Sequence, residues 1–147
     1  MLTSGIRIVA LLVNPTDPAN AEENDFDGVF KKLTEMRAGA LIIGGDALFT
    51  SYGEQLGALA IRHGVPAFYK GREFAAAGGL VAYGSDIADS YRVAGSYTGR
   101  VLKGEKPADL PVQRATKIQL IINFKTAKAL GITIPLPVSG RADEVIE

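Results

Sequence analysis

The chain has 147 residues, of which 47% are hydrophobic and 22% charged, as is usual for one globular domain. Its 16 basic and 16 acidic side chains leave no net charge, so we expect no nucleic-acid binding, which needs a cationic surface. Cysteine is absent and His63 is the single histidine, which excludes disulfides, thiolate metal sites and histidine clusters. No apolar run suits a membrane span, and the start of the chain lacks the features of a signal peptide.

The first half of the chain predicts βα units joined in series. Residues 6–13 are almost continuously apolar, which is typical of a parallel strand covered on both faces. Apolar side chains then recur every three or four positions over residues 25–37, which predicts an amphipathic helix. A second buried strand follows at residues 40–43. A Gly-Gly-Asp turn then leads into a helix that ends at His63.

The second half continues this alternation. Further strands are predicted at residues 65–69, 80–83 and 118–122. Helical segments are predicted at residues 73–77, from Ser85 or Asp86 to Gly104, and at residues 124–130. The tail from Pro135 is polar, and we expect it to be frayed. Five strands alternating with helices predict an α/β fold with a parallel sheet, arranged as a flavodoxin-like or Rossmann-like three-layer sandwich in a single domain, residues 1–147.

Ligands of such folds bind outside the carboxyl ends of the strands, where loop amides and helix N-termini converge. This rule selects residues 14–16, 44–49, 69–73 and 83–86, together with Asn123. Asp46 follows a buried strand and a glycine pair, and its carboxylate either binds a group such as an ammonium or stabilises the turn. Glu73 is either a cleft carboxylate oriented by a neighbouring cation or part of a solvated charge cluster.

The other candidates carry weaker signals. Tyr69 and Tyr83 end strands, where a ring either contacts a ligand or belongs to the core or its rim. Asp86 is more typical of a helix cap than of a ligand-binding group. His63 lies in the last turn of its helix, and we assign it no catalytic role.

The sequence contains no motif that is typical of a phosphate-binding loop or of a metal site. The pair Gly44-Gly45 has no following Lys-Ser/Thr, and no GxGxxG follows any strand, so we expect no nucleotide. The acidic side chains of residues 17–27 are better explained as a solvated loop and helix start than as a metal site. We therefore expect neither a cofactor nor a metal.

Four stretches of the sequence are specific enough to indicate a protein family. They are GVPAFY at residues 64–69, GGLVAYG at 78–84, LKGEKPADLPV at 102–112 and INFKTAKALGI at 122–132. Together they resemble the carboxyl-terminal half of the ABC-transporter substrate-binding proteins of the tryptophan/tyrosine-type receptor group. That group is similar to type I periplasmic binding proteins. The resemblance covers nearly the whole chain. Residues 6–83 correspond to βα units of the second lobe, and residues 84–147 to a returning helix, strand and tail.

The resemblance implies a non-catalytic, two-lobed receptor in the periplasm or another extracytoplasmic compartment, which closes on a small solute such as an amino acid. The receptor then delivers this solute to an ABC permease. Carried over by position, the cleft residues are Asn14, Thr16, Asp46, Phe49, Tyr69 through Glu73, Tyr83, Gly84 and Asp86. Asn14, Thr16 and Gly84 would suit a carboxylate, and Asp46 or Glu73 an amine. Two alternatives stay open: a flavodoxin-like enzyme that uses Asp46 or Glu73 as an acid/base group, and a ligand-sensing regulatory domain.

The chain departs from the family pattern in two ways. The amino-terminal lobe, which carries the signal peptide and half of the cleft, has no counterpart here. In addition, only residues 14–24 stand where family members usually have a further helix and strand. In a flavodoxin-like strand order the lost strand would form the sheet edge. Its loss would expose the strand from Ile6 to Val13 as an apolar edge, which predicts a homodimer or a swapped assembly.

Overall fold

A computed structural model describes residues 8–14, 25–113 and 117–147, and within them six strands form one sheet. The strands lie in chain order as β1 (Val9–Leu12), β2 (Ala40–Ile43), β3 (Ala67–Tyr69), β4 (Val81–Ser85), β5 (Ile118–Asn123) and β6 (Glu144–Ile146). Helices connect them, so the predicted α/β fold class is confirmed. The prediction that residues 6–13 form the sheet edge agrees with the position of β1, of which Val9–Leu12 are in the strand.

One pair of strands is antiparallel, in contrast to the all-parallel sheet expected from the sequence. Strand β5 runs antiparallel to β4, whereas every other neighbouring pair is parallel. The chain leaves the carboxyl end of β4 and returns to the same end, where the Asp86 amide donates to the Lys117 carbonyl at 2.9 Å. Because the connection does not cross back over the sheet, β5 must run in the opposite direction.

The described helices follow the predicted apolar periodicities closely. They are α1 (Phe26–Glu35), α2 (Ala47–Ser51), α3 (Gly53–Arg62), α4 (Arg72–Ala76), α5 (Ile87–Leu102), α6 (Phe124–Ala129) and α7 (Leu136–Ser139). Side-chain oxygens of Asp25, Asp46, Asp86 and Asn123 cap α1, α2, α5 and α6. Among these described helices, none combines the length and apolar character needed to cross a bilayer.

The main core lies on one face of the sheet. Alternate side chains of β1, β2 and β3 point to this face and pack against apolar side chains of α1, α2, α3 and α4. The largest fully buried side chains of this core are Phe30, Leu41, Phe49, Leu56, Tyr69 and Phe74. A smaller cluster joins Ala75 of α4 to Ala82 and Ile121. Helices that follow β1, β2 and β3 therefore cover this face together.

On the other face of the sheet, the side chains of β1 and β2 are exposed. Val9, Leu11, Val13 and Ile42 are all exposed there, Leu11 by 63%. We call these four side chains the open face. The expectation that the first strand is covered on both faces is therefore wrong for the residues that the structure describes. The apolar run predicted the strand correctly, but it could not report whether a helix covers each face.

The polar tail is ordered, contrary to the expectation that it is frayed. Strand β6 pairs with β5, and the Asp143 amide donates to the Leu120 carbonyl at 2.8 Å. The Asp143 carboxylate in turn accepts from the Leu120 amide at 2.8 Å. Arg72 of α4 donates to the Glu144 carboxylate through Nε and Nη2 at 2.7–3.0 Å. These long-range bonds fix a segment whose local sequence carries little strand signal.

Helix α5 is present as predicted, but it has no buried residue. Its predicted apolar stripe includes Ile87, Tyr91 and Val101, and all three are exposed. The periodicity therefore predicted the helix but not a neighbour that would cover it.

The surroundings of two helical glycines, Gly57 and Gly95, predict opposite effects of a substitution by alanine. At Gly57 in α3, an added Cβ would overlap the Phe74 carbonyl oxygen, because α3 and α4 pack closely there. Gly57→Ala is therefore expected to destabilise the fold by about 1–3 kcal/mol, although alanine favours a helix. At Gly95 in α5 nothing lies within 4 Å, so Gly95→Ala is expected to stabilise by about 0.5–1 kcal/mol. Urea unfolding of both variants measures the sign of the change in unfolding free energy. A Gly57→Ala variant that is more stable than the unmodified chain would contradict the close packing of α3 and α4.

Candidate functional site

The ends of β1, β2 and β3 are joined by a polar network centred on Asp46. Asn14 Nδ2 donates to Asp46 Oδ1 at 3.3 Å, and the Leu48 amide donates to the same oxygen at 2.7 Å. The Asp46 carbonyl accepts from the Thr50 hydroxyl at 2.7 Å and from the Tyr69 hydroxyl at 3.3 Å. The two hydroxyl oxygens are 3.1 Å apart. The Asp46 carboxylate therefore caps α2 and ties β1 to β2, which agrees with the alternative that it stabilises the turn.

Two adjoining cavities lie at the carboxyl ends of β3 and β4, and we call them together the cleft. The larger has a volume of about 510 Å³ and the smaller about 290 Å³. Both are lined by Gly71, Glu73, Ser85 and Ile87. The cleft therefore lies at the sheet edge where the sequence placed the ligand site.

Glu73 occupies the shared wall of the cleft. It lies in the first turn of α4, immediately after Arg72, whose guanidinium is held by Glu144. Within residues 8–14, 25–113 and 117–147, the Glu73 carboxylate makes no hydrogen bond or ion pair. Lys70 lines the larger cavity as well. The two cations next to Glu73 in the sequence therefore have different partners. Arg72 pairs with Glu144 of the tail, whereas Lys70 lines the larger cavity together with Glu73.

Asp86 lies on the wall of the smaller cavity and caps α5. Its carboxylate accepts from the Asp89 amide at 3.0 Å and lies 2.8 Å from Lys117 Nζ. The hydrogen bond from Lys117, followed by that from the Asp89 amide, lowers the pKa of Asp86. The same contact with Asp86 raises the pKa of Lys117. Asp86 is thus an ionised cap at the edge of the cleft, as the sequence favoured.

Removing the Lys117 ammonium should raise the pKa of Asp86 towards its ordinary value. We expect this shift in Lys117→Met and none in Lys103→Met, since Lys103 lies at the far end of α5. A depressed aspartate pKa stabilises the fold above the ordinary value, and this stability is lost as pH falls through the folded pKa. Lys117→Met should therefore weaken the pH dependence of stability in the acid range. Side-chain carboxyl NMR titration measures the pKa, and an unchanged Asp86 would contradict this assignment.

Of the other predicted site residues, Phe49 and Tyr83 do not line the cleft, whereas Tyr69 does. Phe49 is 2% exposed and its ring packs edge-on against Phe26, so it belongs to the core. The Tyr69 ring is equally buried against Phe74, although Tyr69 also borders the larger cavity. Tyr83 is 51% exposed and alternates with the core-facing Ala82, so its side chain points away from the main core. Thr16 lies outside the described residues.

Gly84 lines the smaller cavity, and a Cβ there would lie 2.9 Å from the Lys70 Cβ. This close approach brings the ends of β3 and β4 together. Asn14 does not line either cavity, since its side chain is directed to Asp46.

Several cleft residues were missed by sequence reasoning. Thr50 and Ser51 of α2 and Ile87 of α5 line the larger cavity, and Ser85 lines both cavities. Ser85 lies within the selected 83–86 segment, but there it was singled out only as a possible helix cap, and Thr50 and Ser51 follow the selected 44–49 segment directly. Extending that segment by one helical turn would have found them. Among the described residues, no group of three or more metal-ligating side chains converges.

The geometry defines an α/β lobe with a ligand-sized cleft at the carboxyl edge of its sheet. The sequence profile of the family described as "ABC transporter substrate binding protein" matches residues 6–146. The chain therefore belongs to the ABC transporter substrate-binding protein family, which confirms the resemblance seen in its motifs. No curated protein matches the chain at a significant level.

Three solved structures are similar to the chain. A conserved domain protein from Vibrio cholerae is 26% identical, with a TM-score of 0.69 over 81% of this chain and 40% of that one. The ABC domain from Streptococcus pneumoniae, in complex with L-Trp, is 26% identical, with a TM-score of 0.70 over 95% of this chain and 54% of that one. A ligand-free, open substrate-binding protein with adhesive properties from Clostridium difficile shares the fold at 18% identity. Its TM-score is 0.59, over 95% of this chain and 54% of that one.

These structures are substantially longer than the part that they share with this chain. The chain spans about half or less of each, from 40% to 54%. Family membership favours solute binding over the enzyme and regulatory alternatives, because the family is one of substrate-binding proteins.

Proposed function

We propose that the chain binds a small zwitterionic solute, such as an amino acid, as one part of an extracytoplasmic ABC-transport receptor. Glu73 and Lys70 carry the proposal, because they line the larger cavity with opposite charges; Glu54 is a second carboxylate on its wall. Glu73 would accept hydrogen bonds from a ligand ammonium, and Lys70 would donate to a carboxylate. Asp46, the other candidate for the amine, lines neither cavity, and its Oδ1 already accepts from the Leu48 and Asn14 amides.

The remaining walls suit such a ligand. Hydroxyls of Thr50, Ser51 and Ser85 offer further hydrogen bonds, and Phe74 and Ile87 supply apolar surface. The volume of about 510 Å³ is within the range of small-molecule sites. A similar structure, from S. pneumoniae, holds L-Trp, which makes an aromatic amino acid the first ligand to test.

We further propose that binding leads to delivery to an ABC permease rather than to catalysis. In whole receptors of this kind, a second lobe would close over the ligand. A single lobe buries only part of the ligand surface, so we expect weaker binding than in a complete receptor.

Neutralising Glu73 should weaken binding of the ammonium group selectively. We expect Glu73→Gln to lower the affinity for L-tryptophan by about 10- to 100-fold, the value of one charge-assisted hydrogen bond. Indole-3-propionate, which lacks the amine, should bind the variant and the unmodified chain alike. NMR titration of both ligands measures this difference.

Glu35→Gln is the matched control, since Glu35 is exposed at the end of α1. It should bind both ligands like the unmodified chain. Equal L-tryptophan affinities of Glu73→Gln and Glu35→Gln would contradict the assigned role of Glu73. A screen of all amino acids that finds no ligand would contradict the proposed substrate class.

A further inference from the structure

We infer that a second copy of this chain pairs with the outer edge of β1, so that two sheets join about a two-fold axis. Strand β1 is the last strand of the sheet, and among the described residues no strand pairs with its outer side. Gly39 and Gly44 donate to the Ile8 and Leu12 carbonyls on its inner side, at 2.9 and 2.8 Å. Because strand residues alternate, the N–H and C=O groups of Val9 and Leu11 point outwards.

This edge lacks two of the features by which proteins prevent strand pairing, proline and charged side chains. Residues 8–13 contain no proline and no charged side chain. Val9, Leu11 and Val13 are apolar and exposed on the open face, which Ile42 of β2 continues. A covering strand would therefore pair with the outward backbone groups and bury apolar side chains together.

A second copy fits this edge because the edge is self-complementary. In an antiparallel arrangement centred on Leu11, Leu11 lies opposite Leu11 of the second copy, and Val9 lies opposite Val13. Each outward N–H then meets an outward C=O, and apolar side chains meet apolar side chains on the open face. The chain has no net charge, so long-range repulsion between copies is weak.

The pairing should be reversible. Two short strands bury less than the roughly 1,200–2,000 Å² of stable interfaces, so we expect a dimer that forms only at high protein concentration. The open face and the cleft are on different parts of the lobe. Dimerisation and solute binding can therefore be tested separately.

Sedimentation velocity of the chain across the micromolar range tests the inference. We expect a monomer–dimer equilibrium that Leu11→Lys abolishes, since two lysines would then face each other, and that Val9→Lys weakens. Val112→Lys is the matched control because Val112 is 97% exposed in a loop far along the chain, and it should dimerise normally. Circular dichroism confirms that each variant is folded.

Hydrogen exchange adds a residue-level readout. The Val9 and Leu11 amides should gain protection as the concentration rises, and they should not do so in Leu11→Lys. A monomer at every concentration would overturn the inference. So would a dimer that survives Leu11→Lys, a dimer abolished instead by Tyr91→Lys on α5, or association without a discrete dimer.

Discussion

Phe74→Ala is expected to lose about 3–5 kcal/mol of unfolding free energy, because it removes a fully buried aromatic ring. The Phe74 ring is 0% exposed, and it packs edge-on against the Tyr69 ring with centroids 5.7 Å apart. It also fills the space beside Gly79, where an added Cβ would overlap it. The ring thus holds α4 against the sheet next to Glu73.

Urea unfolding measures this loss directly. Tyr91→Ala is the matched control, because its ring is 75% exposed on α5 and its loss should change stability by less than about 0.5 kcal/mol. If Phe74→Ala and Tyr91→Ala unfold at similar urea concentrations, the described packing around α4 is wrong.

Asn123→Leu is expected to cost about 2–4 kcal/mol, because it leaves two buried backbone groups without partners. Asn123 Nδ2 donates to the Ala75 carbonyl at 2.7 Å, and Asn123 Oδ1 accepts from the Thr126 amide at 2.9 Å. Thr126 in turn donates from its hydroxyl to the Gly78 carbonyl at 3.1 Å. These buried bonds join β5 and α6 to the end of α4.

Thermal and urea unfolding of Asn123→Leu should both show the loss. Asn14→Leu serves as the control, since Asn14 is exposed and its single described side-chain bond is 3.3 Å long. It should unfold close to the unmodified chain. A neutral or stabilising Asn123→Leu would show that the polar cluster is dispensable for α6.

The local elements of the fold could be predicted because each has its own apolar period. Residues 40–43 form β2 as predicted, and residues 25–37 contain α1. The antiparallel β5 and the added β6 could not be predicted, since both depend on partners distant in sequence. Lys117 pairs with the end of β4, and Glu144 is held by Arg72.

For the candidate site, the sequence predicted a sheet edge but not the contacts of the individual side chains. The sequence placed the site at the carboxyl ends of the strands, where the structure has two cavities, and it named Glu73 and Asp46 as alternative candidates for an amine. Only tertiary contacts distinguish them, because Asp46 is bound by the Leu48 amide whereas Glu73 faces the cleft. Phe49 shows the same limit of sequence-based prediction. An aromatic residue that follows a strand has the same sequence pattern whether its ring packs in the core or lines a cleft.

Under the proposed function, the cleft at the ends of β3 and β4 binds a small zwitterion. Amide chemical shifts recorded during an L-tryptophan titration test it most directly. We predict saturable shifts at Gly71, Glu73, Ser85 and Ile87, the residues shared by both cavities, with little change at Val9 and Leu11. Shifts confined to the open face, or no saturable shift at the four cleft residues, would contradict the account.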